Sequence, residues 1–429
     1  MSIELITIFM FGGMLALMLI GVPLGVTSGI IASLFLLDPD NLHLLVLISG
    51  RIYSFINTYA LVAVPFFIFM AALMERSGIA HDIFEALRVW GGRQPGGLGA
   101  ITVVVAMILA ATTGVVGGEV MLLGMIALPQ LLRLGYDEKL SIGLITAGGA
   151  LGTMIPPSFN LIIFALTANV SVGQLFTASF IPGVIMGGSY IVYILIRCYL
   201  NPALGPAHSG ADVPLSEKIA LLRRLFMPLL VAVAVLGSIY MGVAAVTEAA
   251  ALGAFAMMLI TGWRRQLSVR NLWDISMQTI RATGIVLWLV FGAVALIGVY
   301  NYLGGINFVK NLFLVSELPP VALVGIMLAI WVVLGCFMEG TAICLLTVPV
   351  FAPIVAALGY DLIWFGVMFS ITCQIGYLTP PLGTAAFYMK SVTPPHISLE
   401  KIFASLWPFV GLQILVLLLI WAMPSLATY

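Results

Sequence analysis

Charge is what this sequence has least of: 17 basic and 17 acidic side chains in 429 residues, 8% of the chain, beside 62% apolar residues. A water-facing surface takes about 25% charged residues, so a soluble enzyme, a nucleic-acid binder and a disordered chain are all excluded. Zero formal net charge points to no polyanionic partner. Cysteine is almost as scarce. Cys198, Cys336, Cys344 and Cys373 form no C-x-x-C pair, and His43, His81, His208 and His396 lie far apart, so neither a metal site nor a disulfide framework is indicated. No Gly-x-x-x-x-Gly-Lys loop, zinc motif or nucleophile elbow occurs. That argues against direct ATP drive and against a membrane enzyme. No Lys or Arg precedes Arg51, so the N-terminus lacks the basic region of a cleaved signal and reads as a retained first helix.

What remains is long apolar runs. A spanning helix needs about 20 such residues, and ten crossings are expected, at roughly 3–20, 22–37, 58–76, 139–169, 175–196, 226–245, 248–263, 281–300, 361–392 and 402–424. Two further stretches behave differently. Residues 97–132 are interrupted by Thr112-Thr-Gly-Val-Val-Gly-Gly-Glu119 and residues 320–357 by Gly335-Cys-Phe-Met-Glu-Gly-Thr341. Each has two apolar arms around a glycine-rich polar middle, too short for two crossings and too interrupted for one. Re-entrant hairpins are expected, and irregular backbone at membrane depth is tolerated only when buried in protein or lining a wet cavity. Basic residues cluster at Arg76, Arg88 and Arg93, at Arg133 and Lys139, at Lys218 to Arg224, at Arg264 to Arg270, and at Lys390 and Lys401. By the positive-inside rule these segments are cytoplasmic. The ends of the second hairpin, with only Lys310, Glu317 and Asp361, then lie outside with Asp38, Asp40 and both termini.

The chain also repeats itself. Leu134-Gly-Tyr-Asp137 recurs as Leu358-Gly-Tyr-Asp361, an offset of 224, and the same offset pairs Pro129 with Pro353, Gly152 with Gly376 and Pro156-Pro157 with Pro380-Pro381. An odd number of crossings separates the copies, so they face opposite sides of the membrane. The expected organisation is a first inverted repeat over 1–200, a polar cytoplasmic linker at 201–224 and a second repeat over 225–429. Inverted repeats with interrupted helices are a plan of secondary transporters, whose sites lie near the midplane. Each Pro-Pro sits inside an otherwise continuous span, where it either unwinds the helix or packs as a kink. Unwinding frees carbonyls at Gly152 to Ile155 and at Gly376 to Thr379. With the hydroxyls of Thr112, Thr113 and Ser158, and of Thr341, Thr379 and Thr384, they form two oxygen-rich cages suited to a hard cation. Helix N-termini after each break present amides to an anion. Sodium-coupled uptake of an organic anion is the expectation, with no cofactor beyond the coupling ion.

At these residues the chain resembles the large membrane subunit (M subunit) of tripartite ATP-independent periplasmic (TRAP) transporters. The resemblance runs over essentially the whole length. It rests on Leu128-Pro129 with Gly135-Tyr-Asp137, Gly152-Thr-Met-Ile-Pro-Pro-Ser158 and Phe180-Ile-Pro-Gly183, then on Pro349-Val-Phe-Ala-Pro353, Trp364-Phe-Gly366 and Leu378-Thr-Pro-Pro-Leu-Gly383. Ala386-Phe-Tyr-Met-Lys390 and Trp407-Pro-Phe409 resemble the branch that handles small carboxylates such as oxo-acids, beside the dicarboxylate and sialic-acid branches. The resemblance implies an all-α polytopic membrane protein of two inverted-topology repeats, about ten spanning helices plus two re-entrant hairpins, with the elevator-type ion-transporter fold. It also implies an inner-membrane importer that works with a small membrane subunit and a periplasmic substrate-binding protein. A stand-alone symporter or antiporter of the wider ion-transporter superfamily is the alternative.

Carried over by motif, the sodium sites fall on Thr113, Gly114, Gly117, Gly118, Gly152, Ile155 and Pro156 in the first half, and on Gly335, Met338, Glu339, Thr341, Gly376, Thr379 and Pro381 in the second. Thr112, Glu119, Ser158, Asn160, Gly340, Gly383 and Thr384 are the residues expected on the substrate. Two departures stand out: Val115, Val116 and Gly117 replace the family's serines at the first tip, and Glu339 stands where the family often has Asp. A carboxylate at membrane depth is costly, so Glu119 and Glu339 either touch ion or substrate or cap nearby amides. Glu248 is read as an N-terminal helix acid, Arg281 as snorkelling and Lys390 as lying in the cytoplasmic mouth. The segments 41–57 and 268–278 are expected as interfacial arm helices, and Trp90, Trp263, Trp273 and Trp407 as an aromatic belt.

Overall fold

The computed structural model describes residues 2–37, 43–91, 94–114, 116–207, 214–314 and 318–427. Expectations for Asp38, Asp40, Asn41, Arg93, Val115, His208 and Glu317 lie outside those residues, as do the side chains of Thr113, Arg223 and Arg224. The described residues are helical throughout, with no strand. Among the described residues seven helices are long and apolar enough to cross a membrane: Tyr59–Arg76, Val116–Arg133, Val172–Leu200, Val246–Trp263, Val269–Tyr302, Gly340–Ala357 and Leu399–Ala422. The chain is a polytopic membrane protein. The runs expected at 139–169 and 361–392 are each split, into Glu138–Ala150 and Phe159–Ala168 and into Leu362–Leu378 and Thr384–Val392. The stretches at 97–132 and 320–357 each fold as two helices, Gly97–Thr113 with Val116–Arg133 and Pro320–Gly335 with Gly340–Ala357.

The recurring Leu-Gly-Tyr-Asp has a physical cause. Gly135 and Gly359 adopt left-handed backbone (φ 75° and 82°) just after their helices. Tyr136 N then donates to Leu131 O at 3.0 Å and Tyr360 N to Val355 O at 3.1 Å, the six-to-one bond of a Schellman cap. The next residue caps the following helix: Asp137 accepts from Leu140 N at 2.8 Å, and Asp361 from Ile363 N at 2.6 Å. Such a cap contributes about 1 kcal/mol. One tetrapeptide therefore stops a hairpin and starts a broken helix, twice.

The helices pack in two groups. Around the breaks, Gly97–Thr113, Val116–Arg133 and Glu138–Ala150 pack together, as do Pro320–Gly335, Gly340–Ala357 and Leu362–Leu378. Val172–Leu200 and Leu399–Ala422 close this group, joined where Gln413 Nε2 donates to the buried Tyr190 hydroxyl at 2.9 Å. The outer group contains Leu24–Leu36, Val246–Trp263 and Val269–Tyr302. There Gly25 and Gly292 meet backbone to backbone, so that a Cβ on Gly292 would strike Gly25 O. Large apolar side chains face outward, among them Leu252, Phe255 and Leu259 on one face of Val246–Trp263, as a lipid-facing surface allows. Trp90, Trp263, Trp273 and Trp407 are exposed too, with the Lys218 ammonium 5.6 Å from the Trp90 ring centroid.

Three features differ from the expectations. The 268–278 segment is no separate arm; with no Gly or Pro before Gly284 it runs on into the 34-residue helix Val269–Tyr302, about 51 Å long at 1.5 Å per residue. Its counterpart is a separate helix, Leu44–Ile56. Two helices were not expected, Ile79–Gly91 and Gly305–Leu314, one before each hairpin. The former buries Ile79, Ala80, Ile83, Phe84 and Ala86 and turns its charges outward. Asp82 takes Arg264 Nη1 at 2.7 Å, and Glu85 takes Gln130 Nε2 at 2.8 Å, tying this helix to the outer group and to the first hairpin.

Glu138 starts the first broken helix and pairs with Lys401, with His396 Nε2 at 3.2 Å from its other oxygen. The Lys401 hydrogen bond holds its carboxyl below the usual glutamate range, and charge attraction from Lys401 and His396 adds to this. A lowered folded-state pKa stabilises above the unfolded value of about 4.3 and is lost as pH falls through the folded one. Glu138→Gln is therefore expected to lower thermal stability at pH 7 by about 1 kcal/mol or less. The gap between parent and variant should close below pH ~4, as measured by unfolding of the purified protein across pH.

Candidate functional site

Both interrupted helices break at a Pro-Pro pair, with cis peptide bonds at Pro156-Pro157 and Pro380-Pro381. At each break a hairpin tip leans onto the unwound chain. Gly114, left-handed at φ 65°, ends the first arm, and its carbonyl accepts from Phe159 N at 3.5 Å. A Cβ on Gly114 would collide with Pro157 O. In the second half Gly383 N donates to Cys336 O at 3.2 Å. Gly383 itself is left-handed at φ 41°. Positions 159 and 383 differ by the repeat offset, so each tip holds the residue that opens the helix after its own break.

Between the two tips lies a cavity of about 240 Å³. Four helices begin on its wall: Val116–Arg133 through Val116, Gly117 and Gly118, Phe159–Ala168 through Phe159 and Asn160, Gly340–Ala357 through its cap Glu339, and Thr384–Val392 through Thr384. Gly114, Met121, Thr153, Tyr377 and Tyr388 complete the lining. No Lys, Arg or His is among these residues. Each helix N-terminus carries roughly half a positive charge, so the cavity presents an anion with backbone dipoles instead of cations.

A polar network crosses between the halves on this wall. Thr341 Oγ1 donates to Asn160 Oδ1 at 3.0 Å, Asn160 Nδ2 to Tyr377 Oη at 3.1 Å, and Gly340 N to Tyr377 Oη at 2.6 Å. Whichever way the Asn160 amide is turned, the network holds one more hydroxyl proton than its own acceptors use. It therefore has a donor to offer.

The expected residues divide by position. Gly114, Gly117, Gly118, Asn160, Glu339 and Thr384 line the cavity. Thr341 and Gly340 belong to the network behind it. The Glu339 side chain is exposed to the cavity and makes no capping bond to its own helix. Glu119 is fully buried and lies behind the first tip, its carboxylate against Gly152, where a Cβ would collide with it. Gly335 and Gly376 form a second backbone crossing, with a Cβ on Gly376 falling 2.5 Å from Gly335 Cα. Ile155 and Met338 are each 2% exposed; Pro156 is buried at the first break, whereas Pro381 is exposed at the second.

The remaining hydroxyls are turned into the chain. Thr112 Oγ1 donates to Leu109 O at 2.6 Å and Thr379 Oγ1 to Ile375 O at 2.6 Å. Ser158 Oγ donates at 2.6 Å to Thr153 O, which also accepts from Ser370 Oγ at 2.8 Å. That freed carbonyl is thus already occupied. Lys390 Nζ donates to Ile397 O at 2.5 Å, and Glu248 Oε2 accepts from Ala245 N at 2.9 Å as a helix-start acid.

Tyr388, Ser370 and Gln374 were not anticipated, nor were the side chains of Thr153 and Tyr377, of which only the carbonyls were expected. Gln374 is fully buried one turn before the second break, and neither of its amide atoms finds a partner among the described residues. Its spacing from Ser370 and Tyr377 puts all three on one helix face. That polar stripe was the one available signal.

Fold and site together define a polytopic membrane protein that gathers two interrupted helices and two hairpins around a buried polar cavity, the build of a carrier. The sequence profile of the tripartite ATP-independent periplasmic transporter, DctM component, matches residues 11–426, and the chain belongs to that family of transporters. It is 27% identical over 454 residues to the C4-dicarboxylate TRAP transporter large permease protein DctM of Vibrio cholerae, covering 100% of this chain and 97% of that one. It is 29% identical to the 2,3-diketo-L-gulonate TRAP transporter large permease protein YiaN of Escherichia coli over 78% of each chain. The sialic acid TRAP transporter large permease protein SiaM of Vibrio cholerae is 27% identical over 89% of this chain and 88% of its own. Among solved structures the YdaH transporter of Alcanivorax borkumensis superposes with a TM-score of 0.62 over 92% of this chain and 91% of its own, at 14% identity, a likeness of fold.

The glycine contacts separate by what a side chain would meet. Gly376→Ala drives a methyl into the Gly335 backbone and is expected to cost about 1–3 kcal/mol, read as a lower unfolding temperature. Gly118 has open space where a Cβ would go. Gly118→Ala should therefore stay within about 0.5 kcal/mol of the parent.

Proposed function

We propose that this chain is the carrier subunit of an inner-membrane importer that moves a small organic anion into the cytoplasm, driven by a sodium gradient. The observation that carries this reading is the meeting of four helix N-termini on one cavity that has no basic side chain among its described lining residues. Four such ends sum to roughly two positive charges, and the carboxylates of Glu119 and Glu339 offset them. Each negative charge brought by the cargo then calls for a cation to enter with it. Gln374, whose buried amide oxygen is orphaned, and the backbone around Gly152 and Gly376 are oxygen-rich ground for sodium, a hard cation. The relatives named for dicarboxylate, diketogulonate and sialic acid transport all have organic acids as cargo, which supports that class here.

On this reading residues 1–200 and 225–429 are inverted repeats joined by the cytoplasmic linker 201–224, with both termini periplasmic. The hairpins and broken helices form the moving body, and Val246–Trp263, Val269–Tyr302 and Leu24–Leu36 belong to the frame it moves against. Ile79–Gly91, bonded to both, is the hinge arm. The word tripartite in the family's description calls for two further components, a small membrane subunit and a periplasmic binding protein that delivers the cargo. In proteoliposomes holding all three, uptake is expected to need an inward sodium gradient; uptake undiminished without sodium would contradict the coupling. Equal uptake without the binding protein would favour a stand-alone symporter.

A further inference from the structure

We propose that Glu339 selects the cargo, favouring a monocarboxylate that bears a hydrogen-bond donor such as a hydroxyl at its far end over a dicarboxylate. This rests on the carrier reading above and names its substrate class. The two tips that face the cavity are chemically unequal. The first presents Gly117 and Gly118, bare backbone at the start of an 18-residue helix, with open space beyond Gly118 and the Tyr388 ring packed on Gly117, 2.9 Å from where a Cβ would lie. That end suits a carboxylate. The second presents Glu339, the one charged side chain among the described residues of the cavity wall. Its backbone carbonyl is fixed by Ala342 N at 2.9 Å and Ile343 N at 3.1 Å, while its side chain is exposed to the cavity and makes no hydrogen bond or ion pair among the described residues.

Among the described residues no basic group lines the cavity to separate Glu339 from a second carboxylate. A cargo spanning the tips with two carboxylates would place like charges together, whereas a hydroxyl would donate a hydrogen bond to the Glu339 carboxylate. About 240 Å³ is below the usual range of about 300–1,000 Å³ for drug-sized ligands, so the cargo is small.

A four-carbon series isolates the far end: butyrate has a methyl there, 4-hydroxybutyrate a hydroxyl and succinate a carboxylate. Purified with its small subunit in sodium, the protein is expected to gain thermal stability from 4-hydroxybutyrate at concentrations about tenfold below those needed for succinate, with butyrate between. Glu339→Gln should bring succinate to within about threefold of 4-hydroxybutyrate, while Glu339→Asp keeps the parent order. A role for Glu339 in sodium binding alone would move the sodium dependence and leave that order in place. Succinate acting at or below the 4-hydroxybutyrate concentration in the parent overturns the proposal, and so does an order that Glu339→Gln leaves intact. Sodium-driven uptake of dicarboxylates with that result would leave the carrier reading standing; absence of both stabilisation and uptake for every organic acid would remove both.

Discussion

Everything at the centre of this protein depends on two backbone contacts, Phe159 N to Gly114 O and Gly383 N to Cys336 O. Each joins a hairpin tip to the start of the helix beyond a Pro-Pro break, at its first residue Phe159 in one half and at its cap Gly383 in the other. Within the membrane an unpaired backbone group costs several kcal/mol, and a break made by proline leaves several of them. The tips and the hydroxyls of Ser158 and Ser370 take up part of that deficit. Glycine is required because the chains meet without room for side chains, as at Gly114 against Pro157 and Gly376 against Gly335. The interruption of the helices and the glycine content of the tips are therefore two sides of one packing problem.

The same contacts aim four helix starts at one cavity. A conventional anion site would use Arg or Lys, but a buried cation keeps its charge whether or not cargo is present. Helix ends supply a gentler field, and Glu339 and Glu119 reduce it further. A nearly neutral cavity would suit the moving body proposed above, which would travel both loaded and empty, since a strongly charged one would be held back by the hydrocarbon. The scarcity of charge in the chain as a whole thus reaches into the site itself.

Much of this was legible in the sequence. The Leu-Gly-Tyr-Asp copies could be found because the motif is both a helix stop and a helix start, so its local chemistry resists change of context. The Pro-Pro breaks were legible for the same reason. Ile79–Gly91 and Gly305–Leu314 were not, being too short and too polar for a crossing. The 268–278 segment was misjudged because polarity marks where a helix leaves the apolar layer, not where it ends. Tyr377 and Tyr388 were hidden as aromatics inside apolar runs. The occupied state of Thr153 O was also unreadable, since Ser370, one of its two partners, stands 217 positions away and only the folded chain brings them together.

The central claim is that the cargo's carboxylate is held by helix N-termini in the cavity between the two tips. Cryo-electron microscopy of the complex with sodium and a transported carboxylate tests it directly. The account predicts carboxylate density against the amides of Gly117 and Gly118 or the helix starts at Asn160 and Thr384. Density outside the tips, for example in the apolar crevice of about 690 Å³ beside Met107, Val184 and Tyr240, or coordinated by a Lys or Arg side chain, would contradict it.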